Sequence, residues 1–199
     1  MNNRSIRTTV NTKTLVLSAV LTAVVVVLQV MAILTRAILP AFAINLVLIP
    51  IVIGAAIGGI KVGAWLGFAS GVAVLVSGDA AAFLTVSIGG TIAVVLLKGL
   101  ASGIAAALVY KLLENKNKYL AVIAAAIACP VANTGVFVLG CFAFFMDTIR
   151  EWGEAMGFEN AFAYIILGMI GVNFIIELVL NIVLSPAVIR LLNIKEKHI

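Results

Sequence analysis

The chain has 199 residues, of which 64% are hydrophobic and 11% charged, with a mean hydropathy of +1.26. Soluble domains carry about 25% charged residues, so a water-soluble core is excluded. At roughly 20 apolar residues per membrane span, this length holds about six spans, with no room for a soluble catalytic or nucleotide-binding domain. A pI of 9.5 and a net charge of +5 do not mark a nucleic-acid surface here. The Lys and Arg residues fall in loops between apolar runs, where they orient a membrane protein.

The segment Met1 to Lys13 is polar and basic and precedes the apolar run Leu15 to Leu34. That run is longer than the ~7–15-residue core of a signal peptide, so an uncleaved first helix is expected. The pattern predicts six helices in one transmembrane domain over 1–199, at about 14–34, 42–60, 62–77, 85–113, 118–145 and 161–190. Gly58-Gly59-Ile60-Lys61 reads as a tight turn between the second and third, and Ser77-Gly78-Asp79 as another after the third. Glu114 to Lys118 separates the fourth from the fifth. Met146 to Asn160, with Trp152 and five charges, reads as the longest loop.

With a cytoplasmic N-terminus, ten basic residues collect inside: Arg4, Arg7, Lys13, Lys61, Lys111, Lys116, Lys118, Arg190, Lys195 and Lys197. Only Arg36 and Arg150 fall outside, with Asp79, Asp147, Glu151, Glu154 and Glu159. This asymmetry predicts two cytoplasmic termini and an even number of spans. Gly59, Gly63, Gly67 and Gly71 form a four-residue ladder, and Gly99 and Gly103 repeat the spacing. Small residues let helices approach closely in lipid, so the ladder reads as packing inside the chain or as a face for a partner subunit.

Enzymatic chemistry finds little support. The one histidine, His198, is in the polar tail, and no span holds two carboxylates or a metal-binding cluster. No P-loop pattern occurs, so any ATP hydrolysis belongs to another polypeptide. Cys129 and Cys141 fit no zinc or redox spacing and read as buried thiols. No cofactor and no metal are expected.

Lys98 and Glu177 stand out, because each lies deep in an apolar run. An ion in a bilayer is costly unless it is paired or lines a polar cavity. Counted from Thr85, Lys98 lies roughly 20 Å along its helix at ~1.5 Å per residue, and Glu177 lies at a comparable depth. The two read either as a buried pair that fixes packing or as groups in a ligand cavity. Asn133 follows Pro130, which frees a backbone carbonyl, and Asn173 lies one turn from Glu177 on nearly the same face. Gln29, Asn45 and Asn181 are weaker candidates, Asn181 being read as structural. Arg36, in the expected loop Thr35 to Ala41, faces headgroups or an anionic solute. Trp152 and Phe158 read as a lid over a cavity or as members of an interfacial aromatic belt.

Taken together, six short helices, cytoplasmic termini and a 20.8 kDa chain without an ATPase resemble the S components of energy-coupling factor (ECF) vitamin transporters. Ala19-Val20-Leu21-Thr22-Ala23 matches that family's A-x-x-x-A contact motif. Asn45 to Gly54 with Lys61-Val62-Gly63, the Lys98-Gly99 step and Asn133 to Phe137 look similar to family segments. The resemblance implies a substrate-capture subunit of an ABC importer in a prokaryotic cell membrane. It implies a solute site whose walls Arg36, Lys98, Asn133, Asn173 and Glu177 match by position, and Asn45 and Trp152, read from the residues themselves, complete the candidate substrate-binding set. It also implies a transmembrane T component meeting Ala19 and Ala23, and two cytosolic ATPases. Lys98 and Arg36 favour an anionic solute, a pantothenate-like vitamin ahead of riboflavin or another vitamin. The alternative is an autonomous secondary carrier or channel using Lys98 and Glu177 as an ion relay, a class that often shows an internal repeat. No such similarity links residues 1–100 with 101–199.

Overall fold

The computed structural model describes residues 12–38 and 46–197. Its long elements are α1 (Thr12–Ile38), α2 (Leu48–Val76), α4 (Ile88–Leu113), α5 (Lys118–Phe144) and α8 (Gly171–Lys197). Between them lie the short α3 (Ala81–Leu84), α6 (Met146–Ala155) and α7 (Ala161–Ala163), and a π-helical segment, Tyr164–Ile170, that leads into α8. Five stretches are long and apolar enough to cross a membrane, the last running from Ala161 to Asn193. The protein is a helical membrane bundle.

The α2 stretch is not straight. Gly59 has φ 72 and ψ −163, a conformation that side-chain-bearing residues rarely adopt. The chain folds back there. A Cβ built on Gly63 would come within 3.1 Å of the Ala55 Cβ, and one on Gly54 would run into Leu66. Residues eight apart in a straight helix are about 12 Å apart, so those contacts require a hairpin. The turn expected at Gly58 to Lys61 is therefore a single glycine break between two helical arms.

The glycine ladder has its partner inside the chain. A Cβ on Gly63 would meet the Gly103 carbonyl at 2.5 Å, and a Cβ on Gly71 the Val95 carbonyl at 2.9 Å. Gly67 and Gly99 are reciprocal: a Cβ on either would collide with the other's carbonyl oxygen. The second arm of α2 and α4 thus run antiparallel with backbones touching, where dispersion replaces the absent hydrophobic drive. This resolves the two readings of the ladder in favour of internal packing.

Two large apolar clusters then fill the bundle, with a small third one of Val74, Ala80 and Val95. One gathers Ile51, Val52 and Leu66 of α2, Ala106 and Ala107 of α4, Ala125 and Cys129 of α5, and Val188 and Ile189 of α8. The other gathers Val94, Cys141, Phe145, Ile149, Tyr164 and Ile165 toward the opposite end. Along α4, α5 and α8, positions 98, 133 and 173–177 fall between these clusters. The polar side chains occupy the gap.

Three expectations need correction. Met146 to Asn160 is not simply a loop, because α6 occupies residues 146 to 155 with Ile149 and Gly153 buried and its charged residues exposed. Its apolar positions are too few for a hydropathy reading, yet their spacing makes one face that packs. The first helix also runs on to Ile38, so Arg36 sits on helical backbone rather than in a loop. The fourth helix begins at Ile88 rather than 85, where Ser87 caps it by accepting a hydrogen bond from the Gly90 N–H.

Candidate functional site

A cavity of about 400 Å³ opens between α4, α5 and the π-helix–α8 stretch. Its wall includes Lys98, Asn133, Asn173 and Glu177, four residues singled out from sequence, drawn from three helices. Asp79, Thr134 and Tyr164 add polar groups, and Phe83, Phe137 and Phe174 add aromatic faces. Such a mixture of apolar body and few convergent polar groups is typical of a small-molecule site, and the volume lies within the usual ~300–1,000 Å³ range.

Each polar group is held by local structure. Lys98 precedes Gly99, so the close α2–α4 contact fixes the height of its backbone. Its ammonium lies 5.3 Å from the Phe137 ring centroid, over the face of the ring. Asn133 Nδ2 donates to the Lys98 carbonyl at 3.5 Å and ties α5 to α4 at the cavity floor. Asn173 Oδ1 is buried with no hydrogen-bond partner among the described residues. An unmatched buried acceptor costs about 1–3 kcal/mol, so it calls for a donor beyond the described residues, and Asn181 Oδ1 is left in the same state.

Asp79 enters from the turn after α2. Gly78, at φ 78, turns the chain so that Asp79 reaches inward. Gln29 of α1, 2% exposed, donates from Nε2 to Asp79 Oδ2 at 3.4 Å and to Ser77 Oγ at 3.3 Å. Gln29 therefore braces the turn from behind rather than facing the cavity. Sequence reasoning misses Asp79 as a site residue because an acid in a polar turn costs nothing and carries no signal. Only its tertiary position distinguishes it.

The π-helical segment shapes the other wall. Its wide turns carry an extra residue, which shifts the register of α8 behind it. Gly168 lies against the Tyr164 ring and the Phe158 edge, where a Cβ would come within 2.6 Å of Tyr164 Cδ2. Phe158 and Tyr164 pack at 5.3 Å.

Trp152 does not line the cavity. It packs edge-on against Phe83 at 5.6 Å, and Phe83 also meets Phe145 at 4.9 Å and Phe137 at 5.8 Å. Its influence on the cavity runs through Phe83. Asn181 turns away as well: its Nδ2 donates to the Glu177 carbonyl at 2.8 Å, and its own carbonyl accepts from Ser185 Oγ. Asn45 lies outside the described residues, and the Arg36 side chain is not described. Cys129 and Cys141 are buried free thiols, and no metal-binding cluster occurs among the described residues. Ala19 and Ala23 are exposed on α1, which also exposes Val16, Val20, Val27 and Met31 and packs mainly on α2.

A bundle of membrane helices enclosing a small polar cavity defines a solute-handling membrane protein. The family model described as "ECF transporter, substrate-specific component" matches residues 13–189, and the chain belongs to that family. It is a multi-pass transport subunit. No curated protein and no solved structure matches the chain significantly.

Proposed function

We propose that this chain captures a vitamin or vitamin precursor at the outer face of a prokaryotic cell membrane and delivers it for ATP-driven uptake. The observation that carries the reading is the cavity, where Lys98, Glu177, Asn133 and Asn173 converge from three helices. A charged group at membrane depth is costly and is by default a candidate for function. The energy comes from partners: a transmembrane T component and two cytosolic ATPases. In this reading Arg36 and Asn45 contribute to solute binding, and Trp152 supports the cavity through Phe83. Lys98 with Arg36 favours an anionic solute of the pantothenate type, and the second carboxylate, Asp79, weakens that preference. Purified without partners, the subunit is expected to carry a small molecule that mass spectrometry identifies after release. An empty protein that binds no vitamin would refute capture.

The proposed orientation has six spans, the hairpin at Gly59 counting as two, and both termini in the cytoplasm. Asp79, Asp147, Glu151, Glu154 and Glu159 then lie outside, and Lys61, Lys111, Lys116 and Lys118 inside. A cysteine engineered within Asn115–Asn117 should resist impermeant labelling of whole cells, and one at Glu154 should react. The opposite pattern would move the cavity mouth to the cytoplasm.

The face of α1 bearing Ala19 and Ala23 is proposed to meet the T component. Ala19→Leu and Ala23→Leu are expected to leave solute affinity of the isolated subunit within about twofold while weakening assembly and uptake. An added isobutyl group separates helices whose contact depends on small side chains. Loss of binding in the isolated subunit would make this a packing face instead.

A further inference from the structure

The stretch that joins α7 to α8 is held at both ends. Ala161, Tyr164 and Ile165 sit in one large apolar cluster, and Val188, Ile189 and Leu192 of α8 sit in the other. Each cluster fixes the way its own end of the stretch faces. The residues between must therefore turn through an angle that suits both.

A regular α-helix would turn them wrongly. At 3.6 residues per turn, residues nine apart are about two and a half turns apart and face opposite sides. Tyr164 and Asn173 are nine apart in sequence, as are Gly168 and Glu177, yet all four line the same cavity. The outward face repeats the pattern, because Ile166 and Ile175, again nine apart, are both exposed. The π-helical segment accounts for this. Its hydrogen bonds reach one residue further than those of an α-helix, as where the Gly171 N–H donates to the Ile166 carbonyl. Each widened turn takes up about one residue more, so nine residues make close to two full turns. Gly171, at φ 5 and ψ −111, ends the widened stretch before α8 resumes.

We infer that the Tyr164–Ile170 segment is the positioning element of the cavity: its widened turns bring Tyr164 and Gly168 round to the face that carries Asn173 and Glu177. Without them the aromatic and polar parts of this wall would lie on opposite sides of one helix. The inference concerns how the wall is assembled and holds for whichever solute the cavity takes. It makes chain length the controlling quantity. Removing one residue leaves Asn173 eight positions after Tyr164, which suits neither kind of helix. Removing two leaves seven, about two turns of ordinary α-helix, and restores the shared face.

The test reads engineered cysteines in the full-length subunit purified in detergent, by their rates of reaction with a charged, water-soluble methanethiosulfonate. Cys129 and Cys141 are buried, so the unaltered protein supplies the blank. At natural length, Asn173→Cys is expected to react at least tenfold faster than Ile175→Cys, which faces outward. Deleting Val172 should reduce that ratio at least fivefold. Deleting Gly171 and Val172 together, neither of which lines the cavity, should return it to within about threefold of the original. A double deletion that does more damage than the single one, or a single deletion without effect, would overturn the assignment. Where the shortened chains fail to fold, the natural length still decides. Reaction of Tyr164→Cys, Asn173→Cys and Glu177→Cys alike supports the shared face, whereas a reactive Tyr164→Cys beside two inert partners would mean a regular helix and no such role. No solute enters these measurements, so their failure is distinct from a failure of capture.

Discussion

A protein carrying both Lys98→Ala and Glu177→Ala is expected to fold in the membrane and to bind its solute at least a hundredfold more weakly than wild type. The single variants separate structure from recognition. Lys98→Ala leaves Asp79 and Glu177 as two carboxylates sharing one cavity with no ammonium. Stranding partly buried charge in this way destabilises the fold, by less than the roughly 3–5 kcal/mol of a fully buried pair. Glu177→Ala leaves one ammonium with one carboxylate, a balanced set, and should cost distinctly less. The expected order of thermal stability is therefore wild type, Glu177→Ala, then Lys98→Ala, with the double variant regaining part of the loss. Solute affinity takes a different order, because both single variants and the double variant change the wall that the solute meets. Wild-type affinity in a folded double variant would remove these two residues from recognition. Asn133, Asn173 and the mouth of the cavity would then have to account for it.

Some of this arrangement is legible in the sequence, and the division has a physical basis. Lys98 and Glu177 are visible because an ion in an apolar run is expensive and so demands a reason. Asn133 and Asn173 are visible for the same reason at lower cost. Asp79 sits among turn residues, where charge is cheap, and only the Gly78 bend and the Gln29 brace bring it to the cavity. Phe83, Phe137 and Phe174 are hidden differently, since one aromatic residue among many apolar ones makes no contrast. The fold obeys a similar rule. Long apolar runs mark where the long helices lie, whereas α6 reads as loop because its composition is polar. Trp152 illustrates the limit of reasoning by position: it lies at the correct end of the bundle yet touches Phe83, not the cavity. The glycine ladder is plain as a spacing, but a spacing names no partner. Only the reciprocal approaches of Gly67 with Gly99 and of Gly63 with Gly103 assign it to α2 and α4.

The Gly67–Gly99 contact should be among the most sensitive points in the bundle. Gly67→Ala and Gly99→Ala each set a methyl group against the opposing backbone carbonyl, where no flexible side chain can give way. Overpacking of this kind costs about 1–3 kcal/mol, and Gly99→Leu should cost enough to prevent a folded product from accumulating. The affected seam also carries Lys98, so the surviving alanine variants should lose solute affinity along with stability. A counterpart within the same chain controls for glycine chemistry as such. Gly135 in α5 has nothing within 4 Å of its Cβ position, so Gly135→Ala meets no obstacle. Replacing a helical glycine by alanine without a clash favours the helix by roughly 0.5–1 kcal/mol. Thermal unfolding in detergent should therefore show Gly135→Ala melting at or above wild type and Gly67→Ala and Gly99→Ala well below it. Equal melting temperatures for the three variants would mean that α2 and α4 do not meet backbone to backbone. The height assigned to Lys98 on the cavity wall would then lose its support.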